Sequence, residues 1–232
     1  MKLLQDKNRN RFFIGHLVIS LTIITAFCLW VFFVWYPYPL AQAMGVLPIL
    51  ALMTVIDVCV GPVFGFVVYK TDKKTLKMDL AVVILIQLLA FGYGVYSVAK
   101  ARPVWIVHHS NIFSVVRDTD VQVSSVHHQP SWLGPKWVGY QAPNPLQALS
   151  GDDGNIYNTN HYIALSDAKI KGLLPKLLTH YNDETVVQDT LAKYPNANAW
   201  LGLSTTGQQD LVVLIDDKSN QVVATVNLHP WN

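Results

Sequence analysis

One carboxylate, Asp57, stands at the centre of a run of 24 residues, Val46 to Tyr69, that has no other Asp, Glu, Lys or Arg. At about 1.5 Å of rise per residue, a run of that length crosses a bilayer as a helix. An ionisable side chain at mid-membrane costs about 2.5–3.5 kcal/mol on insertion scales, so it normally faces another helix or a polar cavity rather than lipid. A membrane protein is therefore expected, with a membrane part that does more than anchor.

Two further runs flank this one. Residues 12–35 contain no Asp, Glu, Lys or Arg and carry His16 near their start; residues 80–99 are equally free of them and carry Gln87 near the middle. Each has the length of about 20 residues that a transmembrane helix needs. Phe12, Phe13, Trp35, Tyr36 and Tyr38 bracket the first run, and Tyr69, Tyr93 and Tyr96 fall in the outer parts of the others, as interfacial aromatic belts do. Three spans, 12–35, 46–69 and 80–99, are thus predicted within a membrane domain of residues 1–103.

Basic residues set the expected orientation. Lys2, Lys7, Arg9 and Arg11 precede the first span, and Lys70, Lys73, Lys74 and Lys77 follow the second, whereas the segment 36–45 has no Lys or Arg. Excess Lys/Arg marks cytoplasmic segments. The N-terminus is therefore expected in the cytoplasm and residues 104–232 on the far side, despite Lys100 and Arg102 there. A competing reading makes the first span a signal peptide cleaved after Ala43, since Ala41-Gln42-Ala43 fits the small-residue pattern. The apolar stretch exceeds the 7–15 residues usual for a signal peptide, which favours an uncleaved anchor.

Charge divides the chain in the same place. Residues 1–103 carry ten Lys/Arg against four Asp, and residues 104–232 carry seven Lys/Arg against eleven Asp/Glu. An acidic outer domain is poorly suited to nucleic acid. Juxtamembrane basic residues suit membrane lipids. Both cysteines, Cys28 and Cys59, lie in the apolar runs, so the outer domain has no disulfide, and both thiols read as packing groups.

The outer domain is expected to be a small α+β domain with an antiparallel sheet. Residues 104–107 and 112–116 read as a hairpin, 121–126 as a short strand, and 200–204, 211–215 and 222–228 as three closing strands. A Pro/Gly-rich stretch, 129–160, reads as a loop. Asp167 to Tyr181 reads as a helix capped by Ser166 or Asp167 and interrupted near Pro175, and Glu184 to Tyr194 as a second helix ended by Pro195.

Chemistry is sparse in this region. His108-His109 and His127-His128 are adjacent pairs, and strand neighbours point to opposite faces, so each pair offers one ligand at most to a given site. Asp152-Asp153-Gly154-Asn155 resembles a fragment of a calcium loop but lacks the later acidic positions. Ser110, Ser166 and Ser204 lack the setting of a nucleophile elbow. No catalytic, metal or cofactor-binding residues are assigned, and an enzyme is not expected.

The spans carry more information. Asp57, Gly61 and Gly65 share one helix face, Gly61 and Gly65 form a small-xxx-small seam, and Pro62 removes the donor that would reach the Val58 carbonyl, so a kink is expected. Gln87, Ala90, Gly94 and Ser97 share a face of the third span, with Gln87 at the depth of Asp57. Such a set either locks spans two and three together or receives a partner helix.

The run Trp35-Tyr36-Pro37-Tyr38-Pro39-Leu40, then Ile56-Asp57-Val58-Cys59-Val60-Gly61-Pro62, resembles type IV pilin accessory proteins of the TfpX/TfpZ kind. So do Asp79-Leu80 with Gln87, Tyr93-Gly94, Ala101-Arg102-Pro103-Val104 and Leu228-His229-Pro230-Trp231. Cys59, Phe64 and the histidine pairs depart from it. The resemblance implies a non-catalytic, chaperone-like protein of the bacterial inner membrane, with a periplasmic outer domain. It would stabilise a cognate major pilin and promote pilus assembly without a cofactor. The partner-binding residues expected from the spans and the membrane exit are Asp57, Gly61, Pro62, Gly65, Gln87, Gly94, Arg102 and Pro103. Pilins of this class carry an acidic residue near the start of their membrane helix, which Arg102 would suit; ordinary anchoring of Arg102 to lipid phosphate is the competing reading. A homo-oligomer is a further expected partner state. The alternative functions are a membrane enzyme that modifies pilin, with Asp118, Asp120 and the histidines as candidates, and a periplasmic sensor that signals through a separate partner.

Overall fold

The computed structural model describes residues 7–70, 73–122, 126–143 and 155–231. Three helical segments are long and apolar enough to cross a membrane: Lys7–Trp35, Leu47–Val68 and Leu76–Ala101. The chain divides into two compact units, one of residues 1–31 and 46–99, the other of residues 32–45 and 100–232.

α1 (Lys7–Trp30) lies in the helical unit, and the π-helical turn that follows it, Val31–Trp35, passes into the second unit after Val31. The second span is built in three pieces: α3 (Leu47–Thr54), a π-helical turn (Val55–Val60) and α4 (Gly61–Val68). The wide turn ends two residues before Pro62, and the Gly61 N–H bonds back to the carbonyl of Ile56, five residues earlier. A proline has no N–H to continue the ordinary ladder, and widened turns of this kind are one way a helix absorbs the loss. The third span is one helix, α5 (Leu76–Ala101). At one end of this unit Phe12 packs against Tyr69 and Phe13 against Phe66, while the Arg9 guanidinium lies 4.2 Å from the Phe66 ring centroid.

The second unit is a seven-stranded sheet with short helical elements. Its strands are β1 (Pro103–His109), β2 (Ile112–Arg117), β3 (Lys136–Tyr140), β4 (Tyr162–Ala164), β5 (Ala199–Ser204), β6 (Leu211–Asp216) and β7 (Gln221–Val226), in the order β4-β3-β1-β2-β5-β6-β7. The β1–β2 hairpin closes through Ser110 and Asn111, both at positive φ (46° and 63°), the backbone that a two-residue hairpin loop with the right twist requires.

The sheet is mixed, which corrects the antiparallel expectation. β1 pairs with β3 and β2 with β5 in parallel, and the other four pairings are antiparallel. Parallel neighbours need long crossovers. The stretches 118–135 and 118–198 supply them, and apolar patterning does not reveal which distant strand a crossover will reach.

The sheet is buried on both sides, which explains its unbroken apolar runs. On β6, Leu211, Val213 and Ile215 join one core with Ile106, Phe113, Leu201 and Leu203. Val212 and Leu214 join Trp200, Leu178, Val187 and Leu228 in another. The bulge between Pro103 and Trp105 on β1 lets Val104 and Trp105 both enter a third cluster with Val107, Val138 and Tyr162.

Leu40 and Ala43 also lie in the first of these cores, although they come from the segment between spans one and two. A short helix, α2 (Leu40–Ala43), carries them, and the Ala43 carbonyl accepts the N–H groups of Gln208 and Gln209 at 2.7 and 3.1 Å. The sheet core is therefore completed by residues at least sixty positions upstream of β1.

Two helix expectations change in detail. Residues 165–181 hold two 3-10 turns, Leu165–Asp167 and Pro175–His180, joined by extended chain, not one kinked helix. Leu174, forced toward extended backbone by the following proline, has ψ 137°, and Leu173 bridges to Trp200 of β5. The second expected helix forms as α6 (Glu184–Ala192), with Asp183 as its N-cap accepting the Thr185 N–H. The expected strand at 121–126 does not form at residues 121–122, and its centre lies outside the described residues, as do Asp152, Asp153 and Gly154.

Candidate functional site

In the helical unit, a groove of about 440 Å³ opens between α1 and α5. Its apolar wall comes from Phe12, Ile19 and Ile23 on one side and Ile84, Leu88 and Phe91 on the other. The second span contributes Asp57 alone. Asp57 sits in the wide π turn and is 5 % exposed.

Gln87 ties the groove together. Its amide nitrogen donates to the Asp57 backbone carbonyl at 2.8 Å and to the Ser20 hydroxyl at 3.2 Å, so one side chain bridges all three spans. Its Oε1 is buried without a hydrogen-bond partner, as is Nδ1 of His16, which also lines the groove. Both atoms could accept a hydrogen bond from an incoming group, and a buried acceptor left unmatched is costly. An apolar slot with a few polar groups suits a hydrophobic helix that carries a polar side chain. Among the described residues, no group of three or more His, Cys, Asp and Glu is placed to hold a metal ion.

Each glycine singled out from the sequence stands against another span. A Cβ on Gly61 would lie 2.1 Å from Gln87 Oε1, one on Gly65 would lie 2.9 Å from the Phe12 ring, and one on Gly94 would lie 2.7 Å from the Met53 side chain. These three positions set the helix spacing, and Pro62, buried beside Gly61, follows the wide turn. Asp57 and Gln87 line the groove itself. Ser20 carries little signal of its own in an apolar run, although it follows His16 by four residues and so shares its helix face.

Arg102 and Pro103 lie in the sheet unit. Pro103 opens β1. Arg102 is 3 % exposed, with its guanidinium 4.3 Å from the Trp132 ring centroid and 3.4 Å from Asp118. Asp118 also pairs with Lys100 at 3.1 Å, so the basic residue in the last turn of α5 and the one just after it share one carboxylate. Asp120 is gripped by Arg117 through two nitrogens, at 3.0 and 3.4 Å. His108 packs on Phe113, His109 bonds to the Ser114 hydroxyl at 2.8 Å, and His128 stands edge-on to Trp105 and Tyr162. Burial pushes both His108 and His109 below the usual imidazole range, and the His109 charge lowers His108 further.

Three apolar helices, a largely apolar groove among them with a few polar groups, and a mixed α+β domain describe a membrane-embedded protein with one appended sheet domain. The model for the fimbrial assembly protein FimB matches residues 5–45, the first span and the segment after it. A fimbrial assembly protein of serogroups C1 and C2 from Dichelobacter nodosus is 35 % identical over 108 residues, which is 46 % of this chain and 82 % of that protein. Its serogroup I counterpart is 36 % identical over 108 residues, covering 42 % of its length. This chain belongs to the fimbrial assembly protein family, and its role is in pilus assembly. No solved structure matches it.

Proposed function

We propose that this protein is a dedicated, non-catalytic accessory factor for a type IV pilin, of the TfpX/TfpZ kind. It resides in the bacterial inner membrane with its N-terminus in the cytoplasm and its sheet domain in the periplasm. There it holds its cognate major pilin before assembly, in the manner of a chaperone. The observation that carries the proposal is the groove between α1 and α5, apolar along its walls and polar at Asp57, Gln87, Ser20 and His16. A pilin awaiting assembly presents a hydrophobic helix in the membrane, and this groove offers such a helix both apolar surface and hydrogen-bond acceptors. In this reading Asp57 and Gln87 meet the pilin, while Gly61, Pro62, Gly65 and Gly94 keep the spans close enough to form the groove. Arg102 and Pro103 fix the exit from the third span, and the pilin's acidic residue is not their ligand.

The non-catalytic reading rests on what the candidate groups already do. Asp118 and Asp120 are held in ion pairs, and His108, His109 and His128 in packing or hydroxyl contacts. The test is purification of the tagged protein from its native membranes in mild detergent, with bound proteins identified by mass. Co-recovery of a major pilin, and loss of that pilin from cells lacking this protein, is the expected result. Pilin levels that do not change in those cells, with no pilin recovered, would overturn the proposal.

A further inference from the structure

The sheet unit carries an exposed apolar loop where a soluble surface would normally be polar. Trp132 is 62 % and Leu133 78 % exposed. The loop is nonetheless held firmly. The Trp35 indole N–H donates to the Trp132 carbonyl at 3.0 Å, and the two rings are 6.1 Å apart. Gly134, at φ +96°, packs directly on the Val34 carbonyl, where a Cβ would lie 2.4 Å from the oxygen. Arg102 stacks on the Trp132 ring, and the Leu133 N–H donates to the Ser131 hydroxyl at 3.0 Å.

The anchoring points identify what the loop meets. Val34 and Trp35 are the last two residues of the first apolar span, and Arg102 follows directly on the third. A loop clamped to the places where the chain leaves its apolar segments cannot be far from the bilayer surface. Phe33 and Tyr38, from the same end of the first span, are each 78 % exposed and face a cleft of about 340 Å³ that Leu133 also lines. Trp and Tyr favour the headgroup level, where their rings meet apolar chains and their polar atoms meet water.

We propose that residues 131–135 form an interfacial docking loop. Trp132 and Leu133 insert at the boundary of headgroups and acyl chains in the outer leaflet of the membrane that the spans cross. Phe33 and Tyr38 insert beside them. The cleft between the two segments takes lipid. The loop thereby adds an attachment of the sheet domain to the membrane besides the three points at which the chain passes between the two units. The inference is independent of which pilin the protein serves.

The test uses the full chain with Cys28 and Cys59 replaced by alanine, reconstituted into nanodiscs of phosphatidylethanolamine and phosphatidylglycerol. A nitroxide is attached at Leu133→Cys, and in a second sample at Ser219→Cys in the β6–β7 turn. Collision rates with oxygen, which concentrates in lipid, and with a water-soluble nickel chelate are compared by power saturation. The oxygen-to-nickel ratio is expected to be several-fold higher at residue 133 than at residue 219. Equal ratios would overturn the proposal. Quenching by bromine-labelled lipid supplies a check without a label: the wild type should be quenched more than Trp132→Phe, and identical quenching would count against the loop's insertion.

Discussion

At the scale of single residues, the informative positions are polar groups in apolar places. Asp57 is conspicuous in the sequence because it is the one Asp, Glu, Lys or Arg in a run of 24 residues, and Gln87, at the same depth, donates to its backbone carbonyl. The bond to Ser20 was not foreseen, since a serine in an apolar run carries little signal of its own. Arg102 was legible only in part. Its position before Pro103 fixed the chain's exit, but its stacking partner, Trp132, lies thirty residues on in a stretch read as loop. If Asp57 works as a hydrogen-bonding group in the groove, Asp57→Asn should keep most pilus assembly and Asp57→Leu should abolish it, with both proteins inserted at normal levels. Surface piliation against membrane abundance checks this, and an Asn variant as defective as Leu would show that the charge itself is needed.

Individual elements were legible where local pattern decides them. The β1–β2 hairpin, β5, β6, β7 and α6 follow from apolar runs and turn residues close in sequence. β3 and β4 are hidden because Lys136–Tyr140 and Tyr162–Ala164 are short, β3 lies among prolines and glycines, and each is held by a neighbour distant from it in sequence or hidden itself: β3 by β1, and β4 by β3. Residues 165–181 have helical spacing, yet Pro175 and the bridge from Leu173 to Trp200 draw the chain into extended form.

β1 also carries a pH dependence. The unfolded chain binds protons at His108 with an ordinary pKa near 6.5, whereas the buried strand resists them. Stability from this group is therefore full above about pH 6.5 and declines as the pH falls below it, because the unfolded state then takes up more protons. Thermal unfolding of the detergent-solubilised protein should shift to lower temperature between pH 7 and pH 5, and His108→Phe should reduce that shift. A shift of unchanged size would remove His108 as its source.

The element least expected is α2. Leu40 is 3 % exposed in the core of the sheet, so Leu40→Ala should destabilise the sheet unit by about 2–5 kcal/mol. Urea unfolding followed by tryptophan fluorescence measures it. A change below about 1 kcal/mol would mean that the site collapses around the lost side chain or that α2 detaches readily.

At the scale of the whole molecule, three spans and one α+β domain were readable from length and hydropathy alone. What is not readable is the ownership of residues 32–45, which belong to the sheet unit although they are the end of the first span and the link to the second. No local pattern marks a loop as part of a core built sixty residues later. The orientation proposed here predicts that a periplasm-active reporter fused after residue 232 is active and that one inserted between residues 73 and 75 is silent, as enzyme assays on whole cells would read. The reverse pattern would place the sheet domain in the cytoplasm and away from any pilin head.

The central claim is that the groove between α1 and α5 receives the pilin. It is tested most directly by placing a photo-crosslinking amino acid at Leu88, which lines the groove and is 58 % exposed, and in a separate strain at Val67, which is 64 % exposed and not among the groove-lining residues. Illumination of intact cells followed by immunodetection of pilin should give a covalent adduct from position 88 and little or none from position 67. Adduct from position 67 with none from position 88, at equal protein levels, would contradict the account.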